Sequence, residues 1–461
     1  MRPTRWRQST HVAVGVVVLV LVAGVVAVAA VFTGHRSSDA EAAPPAPPPA
    51  TASPAIVPVD MSAPSPTIGG LAAALAPALA NPDLGQVTGR ITDAETGAEL
   101  WEQNSGVQMQ PASVNKVLTT AAALLTLDRN ARLATTVLAV DSQPGLVVLK
   151  GGGDTTLSAA PEDTDTWYKG AARISDLADQ VRSSGITVTA VRVDTSEYSG
   201  PTMAPGWDPA DIEGGDIAPM EPVMLDGGRT QPVTVESRRS VTPALDAGRA
   251  LAAALKVDPS TVTVLNGGLP GGGRQIAAVQ SAPLIERLRQ MMNESDNVMA
   301  ESVAREIAAQ LNRPQSFDGG VDAVLSQLEG VGIDMSAAKL VDSSGLSTED
   351  LLTARILDEV VNIAAGNTEP AMRPLVDLLP IAGGSGTLSN RYLDTDAGRD
   401  AAGWLRAKTG SLTGTNALAG IVTDDNGRVL TFALISNNAG PTGRTAIDEL
   451  AAVLRSCGCG T

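Results

Sequence analysis

The chain has 461 residues, 43% of them hydrophobic, with a formal net charge of −17. That is enough apolar residue for two or three packed domains, and the acidic balance argues against nucleic acid as a partner, because phosphate binding needs a basic surface. The two histidines, His11 and His35, flank an N-terminal apolar run, so the body offers no Ser-His-Asp triad, Cys-His dyad or histidine-ligated zinc, and a nucleophile there must be activated by lysine or a carboxylate.

Residues 12–32 are apolar throughout and long enough to span a bilayer as a helix. Arg2, Arg5 and Arg7 precede the run and favour a cytoplasmic N-terminus. Ala27-Val28-Ala29 and Ala40-Glu41-Ala42 resemble small-residue cleavage sites. Residues 1–36 therefore read as a cytoplasmic stub with a membrane anchor or signal segment, and the rest of the chain as exported. Residues 37–67, rich in Ala, Pro and Ser, read as an extended spacer.

Residues 71–79 read as a short Ala-rich helix. Residues 87–91 and 99–102 read as strands around a turn at 93–97. The spacing of Val117, Leu118, Ala121, Leu124 and Leu125 predicts a helix over 112–127, with Pro111 just ahead of it. From 153 to 278, short Val/Ile/Thr strands (188–193, 262–265) alternate with Gly/Pro/Asp loops, as in an inserted β-rich module. Residues 284–307 read as helical. Residues 417–422 and 429–435 flank Asp424-Asp425-Asn426-Gly427, a hairpin signal. A last helix over 445–455 closes an α+β order of elements, with the first and last helices on one face of a sheet. Cys457 and Cys459 are too close for an ordinary unstrained bridge, so 457–461 reads as a tail, with an oxidised or intermolecular pair as the other reading.

Three motifs could carry chemistry: Ser113-Val114-Asn115-Lys116, Ser295-Asp296-Asn297 and Lys408-Thr409-Gly410-Ser411. Positions i and i+3 share a helix face, so Lys116 can reach the Ser113 hydroxyl. A buried lysine loses pKa, and its neutral amine can take the serine proton. Ser295 and Asn297 can point into one cleft. Lys408 and Thr409 can hold a carboxylate, and Gly410 lets a substrate backbone approach an edge strand. Each motif alone has a plainer reading: a helix cap, a solvated lysine, a strand ending at a turn. Ser336-Ala337-Ala338-Lys339 repeats the first pattern where no long helix is expected. Lysine usage favours the functional reading. The chain has six lysines among 33 basic residues, and two of them fall in these motifs. Only lysine, unlike arginine, can release its proton in a protein.

Together the motifs resemble the penicillin-recognising serine enzymes, nearest the type-4, class C low-molecular-mass penicillin-binding proteins (peptidase family S13). Gln110-Pro111-Ala112-Ser113, Gly151-Gly152-Gly153-Asp154, Asp342-Ser343-Ser344-Gly345-Leu346-Ser347 and Leu379-Pro380-Ile381-Ala382-Gly383 add to the likeness, while Thr155 stands where the family usually has proline. The resemblance implies a penicillin-binding-protein/β-lactamase-like α+β domain, discontinuous over 68–152 and 279–456. Its antiparallel sheet would carry helices on both faces beside an all-helical part, with 153–278 inserted. It also implies a serine-type D-Ala-D-Ala carboxypeptidase or endopeptidase. In that reading Ser113 is the nucleophile, Lys116 its base and Ser295 the proton relay. Asn297, Lys408, Thr409, Gly410 and Ser411 bind substrate. The implied partners are peptidoglycan stem peptides ending in D-Ala-D-Ala, β-lactams and the membrane, with no metal or organic cofactor. A β-lactamase or esterase on the same fold, or a non-catalytic wall-binding module, are the alternatives.

Overall fold

The computed structural model describes residues 62–265 and 267–457. The apolar run at 12–32, most of the Pro-rich stretch and Cys459 lie outside them. The last residues of that stretch already pack on the body: Ala63 is buried and gives its carbonyl to Arg428. Among the described residues no helix is long and apolar enough to cross a membrane.

The central sheet has strand order β2-β1-β10-β9-β8 and is antiparallel throughout. Its strands are β1 (Gln86–Asp93), β2 (Glu99–Gln103), β8 (Leu405–Leu412), β9 (Thr415–Thr423) and β10 (Val429–Asn437). The pleat sorts side chains by size. Leu418, Val422, Phe432 and Leu434 point to one face, where helices Ile68–Leu79 and Gly443–Ser456 cover them with Leu71, Leu75, Ile447 and Leu450. Ala417, Ala419, Ala433 and Ile435 point to the other, where the alanines let the turn Ala112–Asn115 and helix Ala354–Ala365 come close. Thr67 caps the first helix by accepting from the Gly70 N–H. The expected hairpin joins β9 to β10, with Gly427 at a φ of 85°. Cys457 is 3% exposed, belongs to the core beneath the last helix and is not a free thiol. It therefore belongs to the folded body rather than to a dispensable tail.

A second sheet, of order β6-β5-β4-β3-β7, comprises β3 (Ala134–Ala139), β4 (Leu146–Lys150), β5 (Ala190–Asp194), β6 (Thr263–Val264) and β7 (Arg274–Gln280). Its β4, β5 and β6 run parallel. Parallel neighbours need crossovers, and helices Ile174–Ser183 and Pro243–Ala254 lie in those connections and bury Leu177, Val181, Ala247 and Leu251 against the sheet. The inserted region is thus mixed α/β rather than largely β, and its sheet takes in β3 and β4 from before the 153–278 interval and β7, which straddles its end. The helical layer is built from helices Leu284–Glu294, Asn297–Gln310 and Phe317–Gly330 around Lys116–Thr126, where every residue from Lys116 to Leu124 is buried.

Candidate active site

Ser113 sits in a 3-10 turn, Ala112–Asn115, that leads into helix Lys116–Thr126. The turn starts from an unusual backbone: Ala112 has a φ of 50°, a conformation that a Cβ-bearing residue holds only under tertiary pressure. Two glycines supply that pressure by allowing close approach. A Cβ on Gly345 would lie 2.0 Å from the Ala112 carbonyl oxygen, and one on Gly410 would lie 2.6 Å from that of Pro111. Gly410 therefore admits the Ser113 turn against the edge strand. Val114 and Asn115 are buried and leave Ser113 partly exposed at the surface of the turn.

Lys116 is fully buried. Its Nζ donates to Ser113 Oγ at 3.0 Å, Asn297 Oδ1 at 2.6 Å and the Ser344 carbonyl at 2.8 Å. Burial pushes the ammonium down to about 8, and Asp342, Asp296, Glu301 and Asp216 keep it from falling further. Desolvation is the main cause, as expected of a buried lysine, and the neighbouring acids oppose it.

The predicted helix over 284–307 is two helices. Hydrophobic periodicity continues across the break, but Ser295 stands at a φ of 58° and Asp296 caps the second helix through the Met299 N–H. The Asp296 carboxylate also accepts from Tyr168 Oη at 2.6 Å. The middle residue of the Ser-Asp-Asn motif is therefore a brace, and the kink turns its two neighbours outward. Asn297 Nδ2 donates to the Asp216 carbonyl, which fixes its amide with the oxygen toward Lys116.

β8 is the edge strand of the central sheet. Lys408 on it is fully buried, and its Nζ donates to Ser295 Oγ at 2.8 Å and the Thr409 carbonyl at 3.0 Å. Burial holds this ammonium well below the ordinary lysine range, with Lys116 and Arg391 adding to the effect. Thr409 Oγ1 lies 2.8 Å from Thr387 Oγ1, and Ser411 is exposed at the strand end.

These elements enclose a cleft of about 390 Å3 lined by Ser113, Ser295, Asn297, Thr409 and Ser411. Lys116, Lys408 and Gly410 lie behind its wall. All eight sequence-predicted residues thus gather in one place. Ser336 and Lys339 do not join them, and Lys339 pairs by a backbone bridge with Leu351.

The loop after Asp342 completes the site. Its carboxylate accepts from the backbone N–H groups of Ser344, Gly345 and Ser347 and from Trp207 Nε1. That set bends the loop so that the Ser344 carbonyl meets Lys116. Glu301 accepts from the Ser343 N–H, and burial together with Asp342 pushes its carboxyl up to about 7. Asp342, Ser344 and Gly345 were visible as a motif, though not their task. Tyr168, Asp216, Trp207, Thr387, Asn390, Arg391 and Arg444 were missed. They come from distant segments, and no local pattern marks them.

The model of the D-Ala-D-Ala carboxypeptidase 3 (S13) family matches residues 71–240 and 233–456. A second, described as the Carboxypeptidase Rv3627c-like N-terminal domain, matches residues 1–58. The chain is 81% identical over 460 residues to carboxypeptidase DacB of Mycolicibacterium smegmatis, covering 100% of both. It is 61% identical over 464 residues to carboxypeptidase Rv3627c of Mycobacterium tuberculosis, again covering 100% of both. In fold it is similar to crystalline penicillin binding protein 4 of Haemophilus influenzae, with a TM-score of 0.66 at 23% identity, covering 84% of this chain and 97% of that one. The same Haemophilus protein is also known complexed with a β-lactam. The chain belongs to the D-Ala-D-Ala carboxypeptidase 3 (S13) family and is a serine-type D-Ala-D-Ala carboxypeptidase.

Proposed function

We propose that the enzyme acts on peptidoglycan stem peptides outside the cytoplasmic membrane, through an acyl-enzyme on Ser113 that β-lactams also form. The observation that carries this reading is the 3.0 Å contact between Ser113 Oγ and the buried, pKa-lowered Lys116 amine. Ser113 Oγ attacks the carbonyl carbon between the two D-alanines while its proton passes to Lys116. The backbone N–H groups of Ser113 and Ser411 receive the developing oxyanion. The C–N bond then breaks and the leaving nitrogen takes a proton from Ser295, whose hydroxyl Lys408 positions; the proton held by Lys116 returns to restore it. Asn297 holds the substrate amide, and Thr409 with Ser411 lines the wall beside the terminal carboxylate. Water adds to the ester carbon and gives a proton to Lys116, which passes it to Ser113 Oγ as the ester C–O bond breaks, so that the acid product leaves and Ser113 and Lys116 are restored.

The apolar, arginine-preceded residues 12–32 support export with the N-terminus held inside. A digest of purified muropeptides read by mass spectrometry tests the substrate. Loss of one alanine from pentapeptide stems supports the carboxypeptidase reading. Cleavage of cross-linked dimers adds endopeptidase action. No change in either, with rapid penicillin turnover instead, makes the protein a β-lactamase.

A further inference from the structure

Lys408 is the cation that the sequence assigns to a substrate carboxylate, but its Nζ is buried behind the cleft wall and occupied by Ser295 and Thr409. The cations that do line the cleft are Arg391 and Arg444. Both stand beside the end of β8. The Thr387–Thr409 hydroxyl contact brings the segment carrying Arg391 to the strand. Asn416, the register partner of Ser411, closes on Gly443, where an added Cβ would lie 3.0 Å from its Nδ2, and Arg444 is the next residue.

The two arginines are prepared differently. Arg391 is clamped by Asp448, which accepts from Nε at 2.8 Å and Nη2 at 2.5 Å. Nη1 has no partner among the described residues. Arg444 is exposed, and among the described residues it has no hydrogen-bond or ion-pair partner. The cleft's acids sit on other elements: Asp216 beside Asn297, and Glu294 at the end of the helix before Ser295. A planar guanidinium with free N–H groups matches a carboxylate in two-point geometry, which a buried lysine cannot offer.

We propose that Arg444, seconded by Arg391 in the grip of Asp448, binds the C-terminal carboxylate of the substrate, while Lys408 acts through Ser295. This deepens the reading above and rests on it. It makes the free acid the recognised end of the peptide and places the selection for it on the helix Gly443–Ser456.

The test compares an acyl-D-Ala-D-Ala peptide with its C-terminal amide, by kcat/KM, in the full chain. In Arg444→Ala the preference for acid over amide falls roughly tenfold to a hundredfold, the scale of a charge-assisted hydrogen bond, and the loss falls on KM rather than kcat. Arg444→Lys recovers part of the preference, and Asp448→Asn lowers it by releasing Arg391. An unchanged preference in Arg444→Ala overturns the clamp alone, provided wild type releases D-alanine. A wild type that releases none sinks the substrate reading and the clamp with it.

Discussion

Asn297 and Lys116 are joined by a 2.6 Å hydrogen bond from the amine to the side-chain oxygen, and the other end of the Asn297 amide is tied to the Asp216 carbonyl. The residue expected to hold substrate therefore also orients the base. Activity needs the neutral amine, so acylation should rise with pH through about 8, where Lys116 loses its proton. Asn297→Asp puts an anion in that contact, favours the ammonium and moves the rising limb to higher pH. The pH profile of acylation by a chromogenic β-lactam checks both; a flat profile from pH 6 to 9 contradicts them.

The buried acids give stability the opposite pH dependence. Asp350 is pushed up to about 10 by burial and by the neighbouring Asp342 carboxylate; its Oδ1 accepts from the Val341 N–H at 2.7 Å, and its Oδ2 is buried without a partner among the described residues. Glu301 is raised to about 7, and Asp226 and Asp358 to about 6. A carboxyl with a raised folded pKa binds more protons folded than unfolded, so stability falls as pH rises from about 4 through the folded value. The melting temperature should drop between pH 5 and pH 9. Asp350→Asn cannot ionise yet can donate an amide N–H to Asp342, so it should flatten that drop. Parallel melts of the two proteins across the range read the difference.

Gly410→Ala tests how Ser113 is placed. Its Cβ would meet the Pro111 carbonyl 2.6 Å away and the Ala112 Cβ at 3.1 Å. Moving the turn displaces the nucleophile from its base, and misplacement of about 1 Å can cost roughly a hundredfold in rate. Acylation should fall far more than the melting temperature does. Equal effects on both would mean the glycine serves packing only.

What the sequence revealed was local. Ser113 and Lys116 could be paired because i and i+3 share a helix face wherever the helix lies. The break at Ser295 was half legible: a helix cap was one reading of the Ser-Asp-Asn motif, but Leu288, Met291, Met292, Val298 and Met299 keep a helical rhythm across it. Only the Asp296 cap, secured by Tyr168 from a remote segment, breaks the helix there. The direction of Lys408 was hidden, since strand alternation gives a face but not a partner. At the start of the inserted region, a helix and loops separate strands that tertiary pairing reunites, so β4 and β5 could not be read as neighbours. Arg391 and Arg444 carry no motif; the packing of the last helix beside β8 creates their role.

The central claim is that Ser113, served by Lys116, is the nucleophile. Labelled penicillin followed by peptide mass mapping tests it most directly. The adduct should sit on Ser113, persist in Ser336→Ala and vanish in a folded Ser113→Ala. An adduct on Ser336, or none on folded wild type, contradicts the account.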